Sequence, residues 1–151
     1  MSTTEDILPA SRPSIRYAVP ADAAAIIALV KELGHVVDVE QAPFMESFTH
    51  ALSDAPRTLV HVAEVDGQVV GYSLTTINSL LYTNGPSAQL QEIVVDASTQ
   101  TRGVGTALVS AVEADCLQHG VTQLTVASRR AGGFYDRLGY TQQAEYMRRL
   151  F

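Results

Sequence analysis

The chain of 151 residues is long enough for one domain with its own core and too short for two ordinary ones. Hydrophobic residues make up 46% and charged residues 17%, which excludes a disordered polyelectrolyte, and apolar runs such as Ala23 to Val30 fall well short of the ~20 residues a membrane span needs. A net charge of −6, with basic residues adjacent only at Arg129-Arg130 and Arg148-Arg149, argues against nucleic acid as a partner and suits a cationic amine, although acidic surfaces also serve solubility.

The opening "MSTTEDILPASR" lacks a basic start followed by an apolar block, so it does not read as a secretory signal. A single cysteine, Cys116, cannot form an internal disulfide, and together these features lead us to expect a cytoplasmic protein. Residues 1–13 are polar and aperiodic and read as a flexible tail ahead of a domain spanning 14–151. "SIRYAV" alternates Ile15, Tyr17 and Val19 as a first strand, and "PADAAAIIALVKELG" carries a helical stripe of Ala23, Ile26, Ile27, Val30 and Leu33 that Gly34 stops. His35 to Pro43 reads as an irregular connection. Phe44, Phe48, Ala51 and Leu52 then predict a short second helix ending before Pro56.

Two β-branched runs flank Asp66-Gly67 in "TLVHVAEVDGQVVGYSLTTI", a strong hairpin signal. "SLLYTNGPSA" reads as a loop broken by Asn84-Gly85-Pro86, and "QLQEIVV" as a buried central strand with Leu90, Glu92 and Val94 on one face. After "QTRGVGTALV" comes a helix expected to turn Val104, Leu108, Val109, Val112 and Leu117 inward, with Gly120 as its cap. "VTQLTVAS" predicts another strand and "RRAGGFYDRLGY" a short helix ending at Gly139. "TQQAEYMRRLF" closes the sheet as a last strand or ends in helix. No repeat or linker interrupts this order, and the whole predicts one mixed α/β domain.

The pair Gly103-Val104-Gly105 between a strand and a helix admits two readings. It is either a phosphate cradle, with backbone N–H groups and the helix N-terminus turned to an anion, or a tight turn that uses glycine for its backbone freedom. A P-loop would need a lysine after Gly105, where Thr106 stands, and a dinucleotide fingerprint would need a third glycine at Leu108. Both fail. The histidines His35, His50, His61 and His119 show no metal-ligand spacing, so no metal is expected, and His61 reads as a surface or satisfied core group. Cys116 reads as a small hydrophobe, and Asp38, Glu40 and Phe44 lie in a segment where an acidic side chain either attracts an amine or is only solvated.

"Gln100-x-x-Gly103-x-Gly105" directly after "EIVVD" resembles the coenzyme A pyrophosphate loop of the GNAT superfamily of acyl-CoA N-acyltransferases, whose Arg-Gly-x-Gly core is here Arg102-Gly103-Val104-Gly105. "SIRYAVPADAAAIIALVKELG", "VAEVDGQVVGY" and "FYDRLGY" are similar to that family's opening strand and helix, second and third strands and late Phe-Tyr element, in its order. The resemblance implies a mixed sheet of about six to seven strands flanked by helices and splayed at the coenzyme A site. It implies direct transfer of the acetyl group of acetyl-CoA to a primary amine of a small molecule or peptide, with no metal, and dimers are common among such proteins.

By the same resemblance, the backbone of Thr101, Arg102, Gly103, Val104, Gly105 and Thr106 would hold the pyrophosphate. Main-chain groups of Ile93, Val94 and Val95 would serve pantetheine and the acetyl oxygen, and such preorganised donors are worth ~3 kcal/mol each in a dry site. Tyr135 matches the family's general acid, against a plain reading as an aromatic anchor beside Phe134. Glu92 is the candidate base or, equally, a structural partner for an arginine. Ser128 stands where relatives often have an asparagine that contacts coenzyme A, and the Arg129-Arg130 pair either reaches the 3′-phosphate or faces solvent. The alternative to an enzyme is a non-catalytic acyl-CoA-binding module with the same fold.

Overall fold

The computed structural model describes residues 12–33, 38–128 and 133–151. Asp66 and Gly67 have φ of 53° and 77°, the pair of left-handed residues that lets a two-residue turn follow the twist of its strands. That turn joins β2 (Thr58–Val65) to β3 (Gln68–Ser79). Around this hairpin, β1 (Ser14–Tyr17) pairs antiparallel with β2, and β4 (Pro86–Val95) pairs antiparallel with β3. β5 (Gln123–Val126) runs parallel to β4, giving one sheet in the order β1-β2-β3-β4-β5.

Helices cover both faces. On one side α1 (Ala23–Val30) and α2 (Gln41–Ser53) pack Ile26, Leu29, Phe48 and Ala51 onto Val60, Val62, Tyr72 and Val94. On the other, α3 (Val104–Gln118) presses Val104 and Leu108 onto Ala63, Val65 and Val70, and Val109, Val112 and Cys116 onto Ala88 and Leu90. The short α4 (Phe134–Arg137) joins that second side through Phe134, Tyr135 and Leu138. Each fully buried Val, Leu or Ile of these layers contributes roughly 1.5–3 kcal/mol, and a salt-bridged Arg16, held bidentately by Asp22 and also bonded to Glu64, ties β1 and β2 to the chain leading into α1.

Four expectations need correction. The sheet has five described strands rather than six or seven, because residues 141–151 take no regular secondary structure and are exposed throughout. Arg148-Arg149 put a charge on both faces of that segment, which leaves it no apolar side to bury. β4 starts at Pro86, inside the expected loop, since a proline is tolerated as the first residue of a strand. Leu117 is exposed and Cys116 takes the inward position on α3, as the 3.6-residue period from Val109 and Val112 requires.

The last correction concerns β4. Its register with β3 passes from Thr75↔Leu90 to Leu74↔Glu92, so Gln91 is an extra residue. The bulge reverses the alternation. Leu90 packs under α3, whereas Val94 packs under α1 and α2, and Glu92 shares the Leu74 side rather than the Leu90 side.

Candidate active site

β4 and β5 pair only from Ser87↔Gln123 to Leu90↔Val126. β4 nevertheless runs on to Val95 and stays bonded to β3 as far as Gly71↔Val95. Beyond Leu90 the edge of β4 that faced β5 is therefore free of strand pairing, and Ile93, Val94 and Val95 lie on it. Along this stretch the main-chain groups alternate between β3 and the free edge, and those turned to the free edge need partners from elsewhere.

The chain leaves β4 through Asp96, whose carboxylate accepts from the Ser98 N–H (2.9 Å) and Ser98 Oγ (2.8 Å). The Ser98 backbone bond, then its hydroxyl, holds that carboxyl below its ordinary range. A 3₁₀ turn over Ala97–Arg102 follows, and Gly103 in the left-handed region (φ 74°, ψ 20°) starts α3. The first intrahelical bond runs from Ala107 N–H to the Gly103 carbonyl (3.0 Å), so the amides of Val104, Gly105 and Thr106 are first-turn donors with no acceptor inside the helix. Val104 meanwhile buries its side chain fully in the core, fixing the backbone that carries its N–H.

The two glycines differ. Gly103 needs its positive φ, with nothing within 4 Å of where a Cβ would stand. Gly105 has no such φ, and a Cβ there would sit 3.5 Å from the Phe134 ring and 3.9 Å from Val95 Cγ2. Gly105 is thus the point where the start of α3, the end of β4 and the start of α4 meet. Tyr135, next to Phe134, is half-buried with its ring edge-on to Phe134 (centroids 5.0 Å) and to Tyr140 (5.7 Å). Burial pushes its phenol above the ordinary value, which keeps it protonated at neutral pH and able to donate. Ser128 is exposed two residues beyond β5, while Arg129 and Arg130 lie outside the described residues. Of Thr101 and Arg102 the structure describes the backbone, within the 3₁₀ turn.

Glu92 is half-buried and accepts a hydrogen bond from the Tyr72 hydroxyl at 2.8 Å. Among the described residues no cation pairs with it, and its described partner is a phenol. Asp38 and Glu40 are exposed just before α2, and His35 lies outside the described residues. Among the described residues there is no group of three or more His, Cys, Asp or Glu side chains able to hold a metal ion, and no helix is long and apolar enough to cross a membrane.

His61 was expected at the surface or as a satisfied core group. It is buried, with Nε2 2.7 Å from Asp115 Oδ2, which also accepts from the Tyr17 hydroxyl at 2.7 Å. Its Nδ1 has no partner among the described residues. Nothing in the sequence flags this contact, since 54 positions separate the pair. It sits toward β1, at the opposite edge of the sheet from β5, as does a cleft of about 380 Å³ lined by Tyr17, Leu52, Pro56, Leu59 and His119.

The strand edge beyond the last β4–β5 pair, the first turn of α3 and the start of α4 thus come together around Gly105. Residues 31–149 match the acetyltransferase (GNAT) domain family. The chain belongs to that family. As a GNAT acetyltransferase it is 36% identical over 124 residues to the aminoglycoside N(6′)-acetyltransferase type 1 of Stenotrophomonas maltophilia, covering 80% of this chain and 78% of the relative. Its fold is similar to that of glucosamine-6-phosphate N-acetyltransferase from Arabidopsis thaliana (TM-score 0.80, 20% identity, 92% of this chain and 98% of that one). It is also similar to the ribosomal-protein-alanine N-acetyltransferase of Brucella melitensis (TM-score 0.70, 18% identity, 92% and 99%). One of these is named for a sugar phosphate and the other for a ribosomal protein, so a shared GNAT fold does not select the amine.

Proposed function

We propose that this acetyltransferase moves the acetyl group of acetyl-CoA to a primary amine of a small cationic amino sugar of the aminoglycoside class. The observation that carries the choice of acceptor is the likeness to the aminoglycoside N(6′)-acetyltransferase over most of both chains. A net charge of −6 and the exposed Asp38 and Glu40 before α2 favour a polycationic amine over a sugar phosphate.

When bound, acetyl-CoA supplies the acetyl thioester. The first-turn N–H groups of α3, Val104 to Thr106, donate hydrogen bonds to its pyrophosphate, supported by the positive end of the helix. Main-chain groups of Ile93 to Val95 on the free edge of β4 align the pantetheine arm and polarise the acetyl oxygen. Glu92 takes a proton from the amine as its nitrogen bonds to the acetyl carbon. Tyr135 donates its proton to sulfur as the carbon–sulfur bond breaks, and solvent returns each group to its starting state. Burial keeps the Tyr135 phenol protonated and so able to donate as charge develops on the departing sulfur.

The test is thiol release from acetyl-CoA with aminoglycosides carrying a 6′-amine and with their 6′-hydroxy analogues. Turnover confined to the 6′-amines is the expected result. Equal turnover of both would move the acetylated amine to another position on the aminoglycoside, and turnover only with glucosamine 6-phosphate or a peptide N-terminus would replace the proposed acceptor.

A further inference from the structure

Glu92 belongs to the proposed chemistry, but nothing so far accounts for how a carboxylate on the end of three rotatable bonds is held in place. Tyr72 does. It lies in β3, diagonally across from Glu92, with Tyr72↔Val94 and Leu74↔Glu92 as the register neighbours. Its ring is almost completely buried, at 2% exposure, among Val62, Val94 and the side chains of α1 and α2. The hydroxyl at the end of that fixed ring donates to Glu92 Oε1 at 2.8 Å.

Register shows that the contact depends on the bulge. Without the extra residue at Gln91, Glu92 would stand opposite Ser73, whose neighbours face α3, and Tyr72 would be out of reach. The bulge falls just after Leu90↔Val126, the last pair between β4 and β5. The bulge, at the point where β4 loses β5 as a partner, turns Glu92 to the side of the sheet that carries Tyr72.

We infer that Tyr72 is a positioning residue for acetyl transfer: its buried hydroxyl fixes Glu92 through Oε1 and leaves Oε2 free to receive the proton of the acceptor amine. Burial, and then the neighbouring Glu92, push the Tyr72 phenol far above its ordinary value, so it serves only as a donor throughout the working pH range. The inference rests on the reading of Glu92 as proton acceptor.

A double-mutant cycle separates the two ideas. Steady-state kinetics would be measured for Tyr72→Phe, Glu92→Gln and the pair, with acetyl-CoA affinity determined for each by calorimetry. Tyr72→Phe keeps the buried ring and is expected to lower kcat about 10- to 100-fold, leaving acetyl-CoA affinity unchanged. Glu92→Gln is expected to cost at least as much. In the Glu92→Gln background, Tyr72→Phe should have almost no further effect, because there is no carboxylate left to position. A hydroxyl that only stabilises the fold would not produce that non-additivity. If Glu92→Gln is slow while Tyr72→Phe turns over normally, or if the two losses multiply in full, the positioning role is wrong and Glu92 keeps its own. A Glu92→Gln enzyme as fast as the unaltered one overturns both.

Discussion

In the proposed mechanism Tyr135 is both an aromatic anchor and a proton donor, and the two uses do not compete. Its ring packs against Phe134 and Tyr140, while burial raises its phenol and so keeps the proton available. Tyr135→Phe preserves the packing and removes the donor. Turnover should fall on the order of 10²-fold with acetyl-CoA affinity retained, which steady-state kinetics and calorimetry together measure. The glycines of the loop divide in the same way. Gly103→Ala forces a side chain into the left-handed region and should cost about 1–2 kcal/mol of unfolding free energy. Gly105→Ala meets only ordinary contact distances and should cost less, a comparison for urea unfolding. The sequence gives both glycines equal weight. Only the dihedral angles and the Phe134 ring, 29 positions away in the chain, tell them apart.

At the scale of elements, periodicity and turn residues made most of the fold readable. The hairpin at Asp66-Gly67, the α1 and α3 stripes and the strand before Gly103 follow from local spacing. What did not follow is the bulge at Gln91, because nothing about a glutamine marks an extra residue in a strand. That single insertion misplaced Glu92 relative to Leu90 and hid its contact with Tyr72. The His61–Asp115 bridge between β2 and α3 was hidden for another reason, the long separation of its two partners. Asp115→Ala would strip the buried His61 ring of its described partner and should cost about 2–3 kcal/mol. Tyr17→Phe removes only a half-exposed hydroxyl from the same carboxylate and should cost under about 1 kcal/mol. Equal losses for both, by chemical denaturation, would show that the histidine does not depend on this bond.

Across the whole molecule, the described ion pairs involve β1 and β2 whereas the proposed active site is built on β3, β4 and the start of α3, so stability and chemistry can be tested separately. Arg16 holds Asp22 by two hydrogen bonds, and this, with the Val19 amide, depresses the Asp22 carboxyl below its ordinary value despite burial. A depressed carboxyl stabilises the fold fully above its unfolded value, ≈ 3.9 for Asp. That contribution is lost as pH falls through the lower folded value. The stability gap between the unaltered protein and Asp22→Asn should therefore be widest near neutral pH and shrink below about pH 4. A gap that stays constant down to pH 3 would remove Asp22 from acid unfolding. The chemistry stands on a different claim, that one surface made by the free edge of β4, the first turn of α3 and Tyr135 receives acetyl-CoA. The most direct measurement is a crystal structure of the acetyl-CoA complex. The pyrophosphate should lie on the amides of Val104 to Thr106, pantetheine along Ile93 to Val95, and the sulfur within hydrogen-bond reach of the Tyr135 hydroxyl. Acetyl-CoA bound instead in the cleft beside α2 and His119, or with its sulfur remote from Tyr135, would contradict the account.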